Sequence, residues 1–122
     1  MITEFFKKLE EIIEKDPRYK PDAYEFVMQA LGFTQRRLNR MGHITGRELL
    51  EGIKDLGLEQ YGPMTKSVFA HWGVNNTDDF GEIVFNMVDK GLMGKNEQDS
   101  RNDFKNIYSF QDAFDSKRQF KL

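Results

Sequence analysis

Apolar residues recur at helical spacing from the start of the chain, with Ile2, Phe5, Phe6, Leu9, Ile12 and Ile13 on one side and Glu4, Lys7, Lys8, Glu11 and Glu14 on the other. This pattern predicts a surface helix with one buried stripe. Asp16-Pro17 should end it near Lys15, because the residue before a proline is pushed out of the helical region. Pro21 suits a first helical turn and opens a second segment, predicted to run to about Asn39. Tyr24, Val27, Met28, Leu31 and Leu38 lie on one face of it, and Phe26, Ala30 and Phe33 lie roughly opposite. A helix apolar on two faces belongs between other elements, which makes this one the expected centre of the fold.

Thr45-Gly46-Arg47-Glu48 has the spacing of a capping box, so a third helix should begin at Gly46, bury Leu49, Leu50, Ile53 and Leu56, and end around Tyr61-Gly62 after a weak point at Gly57. Pro63 opens a short fourth helix carrying Met64, Val68, Phe69 and Trp72, with Gly73 at the position of a left-handed cap. Thr77 reads as the cap of a fifth helix, in which Phe80, Ile83, Val84, Met87 and Val88 keep the apolar period and Asp78 and Asp79 occupy the first turn. Beyond Gly91 the period is lost. A polar tract from Gly94 to Asp103 and the segment Phe104 to Phe110 fit either two short strands joined by a loop or a helix starting near Asp99 or Ser100. One more helical turn is expected at Ala113-Phe114, and residues 115–122 read as a frayed tail.

The expected fold is mainly α: a single helical domain over 1–122, with an N-terminal helical pair in 1–40 and a winged-helix-like part in 45–110. A helix followed by a hairpin is the order found in winged helices, and that shape suggests nucleic-acid binding. The charge argues against it. Residues 1–40 carry 8 Lys and Arg against 7 Asp and Glu, residues 41–94 carry 4 against 8, and residues 95–122 carry 6 against 5. Affinity for nucleic acid rests on cations that neutralise phosphates, and the recognition-helix region is the acidic one.

At 122 residues, with 39% hydrophobic and 31% charged positions and 11 phenylalanines, the chain is long enough to bury an aromatic-rich core. It has no cysteine, which excludes a disulfide framework, a zinc ribbon and a cysteine nucleophile. Charges at Lys7, Lys8, Glu10 and Glu11 interrupt any apolar run near Met1, so neither a signal peptide nor a membrane span is expected, and the cytoplasm is the expected compartment.

Several segments resemble an uncharacterised family of small bacterial proteins. They are Ala23-Tyr24-Glu25-Phe26-Val27, Phe33-Thr34-Gln35-Arg36-Arg37-Leu38, Gly46 to Ile53, Tyr61-Gly62-Pro63-Met64, His71-Trp72-Gly73-Val74, Thr77 to Asn86, and Asp99-Ser100-Arg101 with Asp103-Phe104. The resemblance spans roughly Asp16 to Phe114. It implies a bacterial cytosolic origin and, since that family has no assigned activity, it transfers no catalytic residue.

The chemistry-bearing residues are few. His43 and His71 are the only imidazoles, and a zinc site would have to recruit carboxylates such as Asp79 or Glu82 without any recognisable ligand spacing. His71 falls near the Met64 face of its helix and reads as a hydrogen-bonded histidine at the core edge. Phosphate loops, a Ser/His/Asp order and a nucleotide fingerprint are absent, so no reaction centre and no cofactor are expected.

The leading expectation is therefore a non-catalytic protein-interaction or regulatory module. Its candidate surface comprises Glu82 and Asp89 on the acidic fifth helix, Phe85, and the basic residues Arg36, Arg37, Arg40 and Arg47. Phe85 lies about 100° or more from the centre of its helix's apolar stripe, and so either packs under Ile107 or Tyr108 or stands exposed as an anchor. The basic residues read first as ion-pair partners of Glu48, Glu51 or Asp55, and otherwise as a grip for an acidic partner. The alternative expectation is a nucleic-acid binder acting through Lys95, Arg101, Lys117, Arg118 and Lys121 together with the basic cluster. A weaker third is a small-molecule pocket among the Phe and Met side chains.

Overall fold

The computed structural model describes residues 2–94 and 100–114. The order of elements is α1 (Ile2–Lys15), α2 (Pro21–Arg37), α3 (Gly46–Tyr61), a 3-10 turn (Gly62–Met64), α4 (Thr65–His71), α5 (Thr77–Asp89), a second 3-10 turn (Arg101–Phe104) and α6 (Phe110–Ala113). The fold is mainly helical, and among the described residues no helix is long and apolar enough to cross a membrane.

The helix ends follow local chemistry. Asp16 N–H makes the last helical bond of α1, to the Ile12 carbonyl at 2.7 Å, and the chain then turns at Pro17. α2 starts at Pro21 and ends at Arg37, two residues earlier than the sequence suggests. Asn39 takes a left-handed conformation, φ 50°, and its N–H bonds the Arg36 carbonyl while Arg40 N–H bonds that of Gln35. This is a Schellman motif with asparagine in the left-handed position. Thr45 and Glu48 form the expected capping box, with Glu48 N–H donating to Thr45 Oγ1 at 3.1 Å and Thr45 N–H donating to the Glu48 carboxylate at 2.9 Å. Gly57 does not interrupt α3. It is buried where Thr65 and Phe69 approach, and a Cβ there would meet Thr65 Cγ2 at 2.9 Å.

α5 departs from expectation at its first residue. Asn76, not Thr77, is the cap, its side chain accepting from Asp79 N–H at 3.0 Å. Thr77 is buried, and its Oγ1 accepts from Ile107 N–H at 3.1 Å. Asp78 accepts from Asn106 N–H at 2.8 Å. The start of α5 therefore holds the C-terminal segment through that segment's own backbone. The other end of α5 closes in a second Schellman motif, with Gly91 at φ 75° and Leu92 N–H bonding the Met87 carbonyl at 2.8 Å.

Of the two readings of 92–110, the hairpin finds no support: no strand occurs among the described residues, and the winged-helix likeness loses its basis with it. A strand ladder needs a partner for each N–H, but those of Asn106 and Ile107 are taken by Asp78 and Thr77. The helical alternative is the better match. Ser100 N–H donates to the Asp103 carboxylate at 2.8 Å and starts the short turn that ends on Phe104.

One hydrophobic cluster runs through the helices, with α2 at its centre: Ala23, Tyr24, Val27 and Ala30 are wholly inaccessible. Phe69 of α4 is the hub of an aromatic group with Phe26, Trp72, Phe80, Phe110 and Phe114, at ring separations of 5.2 to 6.1 Å. Three members expected inside are outside instead. Phe6 is 43% exposed, Leu38 42% and Met64 57%.

Candidate functional site

The acidic face of α5 is spent on internal contacts. Glu82 bonds the guanidinium of Arg18 at 3.1 Å and that of Arg101 at 2.9 Å. Asp79 accepts from the Tyr19 hydroxyl at 2.6 Å and from Asn75 N–H at 2.8 Å. Asp16, held by Arg18, also accepts from the Asn86 amide, which reaches the Tyr24 hydroxyl. The Arg18 guanidinium holds the Asp16 carboxyl well below the usual carboxylate range. Burial, and then the bond to Asp79, push the Tyr19 phenol up. Asp89 stands exposed, the one acidic candidate on α5 without an ion pair among the described residues.

Phe85 is not an exposed anchor. It is 8% exposed and meets Phe104 edge-on, with ring centroids 6.2 Å apart and planes at 86°. The Arg101 guanidinium lies over it at 5.3 Å from the ring centroid. The cover is Phe104 rather than Ile107 or Tyr108, which explains why Phe85 sits off the main apolar stripe: α5 has a second apolar side, roofed by the turn at Arg101–Phe104. Arg101, expected to reach a nucleic acid, is committed to Glu82 and Phe85. Lys95, Lys117, Arg118 and Lys121 lie outside the described residues.

The basic cluster divides in two. Arg37 pairs with Asp55 at 2.6 Å and stacks on Phe33 at 5.3 Å, and Arg40 pairs with Glu48 at 2.7 Å while also donating to the His43 carbonyl at 3.4 Å. The backbone N–H of Thr45, together with Arg40, holds the Glu48 carboxyl below its ordinary range. Glu51, the third expected partner, bonds Lys54 instead. Arg36 and Arg47 are exposed and form no ion pair among the described residues.

Between these arginines the α2–α3 connection projects an unusual amount of apolar surface, Leu38 at 42% and Met41 at 94% exposure. Its course is held by the Asn39 turn and by the Gln35 amide, which donates to the Met41 and Gly42 carbonyls at 3.5 and 3.4 Å.

Beside this corner is a pocket of about 430 Å³, open on one side. α2 supplies Leu31 and Gln35, the connection Gly42, His43 and Ile44, and α3 Gly46 and Leu49. Val84, Phe85 and Val88 of α5 complete it with Met93, Gly94 and Phe104. Sequence reading missed this assembly because its residues come from six separate segments. The off-stripe position of Phe85 was the one signal that α5 has a second apolar partner.

His71 is exposed, not at the core edge, and His43 is exposed at the pocket. No group of three or more His, Asp or Glu among the described residues could hold a metal ion. What the arrangement offers chemically is a largely apolar recess beside exposed cations. No protein-family model, no curated protein and no solved structure matches the chain.

Proposed function

We propose that this protein is a non-catalytic cytoplasmic binding module that engages another protein through the corner between α2 and α3. The observation that carries the reading is the coincidence, at one corner, of nearly full exposure of Met41 and partial exposure of Leu38 on the connection with two exposed arginines, Arg36 at the end of α2 and Arg47 at the start of α3, that lack an internal ion pair among the described residues. Exposed apolar side chains rimmed by polar ones mark contact surfaces, and arginine and methionine are enriched where proteins meet. The acidic side of α5, the other surface suggested by the sequence, is less suited because Glu82 and Asp79 already have partners and Phe85 is covered.

The test is capture from a nuclease-treated bacterial lysate with wild-type protein, Met41→Asp, the double variant Arg36→Glu/Arg47→Glu, and Asp89→Lys as a control on the other face. A protein retained by wild type and Asp89→Lys but lost from both corner variants is the expected result. Material that disappears on nuclease treatment, or a partner indifferent to the corner variants, overturns the reading.

A further inference from the structure

The pocket next to the corner has a definite chemical character. Its walls are mostly aliphatic and aromatic, with Val84, Phe85, Val88 and Phe104 along one side; its polar side chains are His43 and Gln35, and the Gln35 amide is already turned onto the Met41 and Gly42 carbonyls. Small-molecule sites depend on a few polar groups aimed inward to orient the ligand. Here that amide is occupied in shaping the loop, so what the recess offers is mainly apolar contact.

Its size sets a second limit. A cavity of about 150 Å³ already accommodates benzene, so a pocket of about 430 Å³ has room for two ring-sized or branched side chains. Side chains three or four residues apart on a helix stand about 5–6 Å apart, close enough to enter together. The recess is bounded by α2, α3 and α5, and no strand edge exists among the described residues to template an extended peptide. A helix laid into a groove between helices is a recognition mode that suits a recess of this kind.

Charge fixes the partner's sign. Arg36 follows the pocket residue Gln35 and Arg47 follows the pocket residue Gly46, both exposed and without an ion pair among the described residues. Of the acids around them, Glu48, Asp55 and Glu51 are bound to Arg40, Arg37 and Lys54, and Asp103, beside Gly46, accepts from Ser100 N–H. We propose that the pocket receives two large apolar side chains, one helical turn apart, from an acidic helix of the partner, whose carboxylates meet Arg36 and Arg47. This rests on the corner being the contact surface.

The test is selection from a displayed library of randomised 16-residue peptides on the full chain, followed by fluorescence anisotropy of the selected peptides. The variants are Val88→Trp and Met93→Trp, which fill the recess from α5 and from the following loop, and Arg36→Glu/Arg47→Glu; thermal melts establish that each is folded. The expected peptides carry two large apolar residues three or four positions apart among Asp and Glu, and lose affinity about tenfold or more on either tryptophan variant and on the arginine double variant. Peptides that ignore both tryptophan variants yet need the arginines overturn the pocket proposal and leave the corner reading standing. Basic flanks, apolar residues at alternate positions, or no selection above background overturn the proposal, and binding that survives every variant removes the corner reading as well.

Discussion

Phe104 packs its Cβ against Gly81 so closely that a methyl group built on that glycine would stand 2.7 Å from it, with the Phe104 ring atom Cγ at 3.0 Å. The same ring lies against Gly46 at the start of α3. Two glycines on two helices thus form the seat that lets the turn after α5 cover Phe85 and close one wall of the pocket.

Gly81→Ala is therefore expected to destabilise the protein. Overpacking costs about 1–3 kcal/mol, and alanine's better helix propensity offsets roughly 1 kcal/mol of that. Gly32→Ala, in the middle of α2, is expected to do the opposite and add roughly 0.5–1 kcal/mol, because its Cβ meets only the end of the Arg36 side chain at 3.4 Å. Urea midpoints of the two variants against wild type check the pair, and equal effects would refute the packing account of Gly81.

Thr34 and Gly52 mark the closest approach of α2 and α3. The Thr34 hydroxyl donates to the Ala30 carbonyl at 2.7 Å, and a Cβ on Gly52 would overlap its oxygen. Gly52→Ala should be severely destabilising in the wild-type background and much milder in Thr34→Ala. A double-mutant cycle should show a favourable coupling of about 0.5–3 kcal/mol; additive losses would mean the helices separate instead of relaxing at Thr34.

Phe85→Ala is expected to cost about 3–5 kcal/mol of stability, the loss usual for emptying a buried phenylalanine site, since Phe85 is 8% exposed and stacked on Phe104. A change of under 1 kcal/mol in chemical denaturation would contradict its burial. Replacing Phe85 is for the same reason a poor probe of binding, whereas Met41 at 94% exposure can be changed without touching the core.

Acid should weaken the protein through Asp16 and Glu48. Arg18 lowers the Asp16 carboxyl from its ordinary 3.8, and the Thr45 N–H and Arg40 lower that of Glu48 from 4.5. A carboxyl depressed on folding contributes stability that is complete above its unfolded value and lost as pH falls through the folded one. Stability should hold from about pH 7 to 5 and fall below about pH 4. The deficit of Asp16→Asn relative to wild type should be largest near neutral pH and shrink in acid; a deficit constant with pH in denaturant titrations would exclude the Arg18 contact as its source.

How much of this was legible depends on the range of the interactions. The Thr45 box, the stop at Asp16-Pro17, Gly73 as a left-handed cap, and the apolar period of α5 are carried by residues within a turn of one another, and the structure keeps them. Ala113-Phe114 likewise falls at the short α6. The segment from 92 to 110 was ambiguous because its local pattern fits strand and turn alike, and contacts with Thr77 and Asp78, some 28 to 30 residues away, decide it. The same reason hid the role of those two residues, which act on the distant backbone rather than as cap and dipole charge alone.

The sequence by itself determined the helices, most of their ends and the central place of α2, because capping and periodicity are short-range and repeat the same stereochemistry wherever they occur. Only the tertiary structure decided which charges are left over and which apolar residues are covered. Glu82 is neutralised by Arg18 and Arg101 from either side in sequence, Phe85 is roofed by Phe104, and Leu38 and Met41 are left outside. Exposure and pairing are properties of packed helices, not of any one of them, and so the surface available to a partner could be read only once the chain had closed on itself.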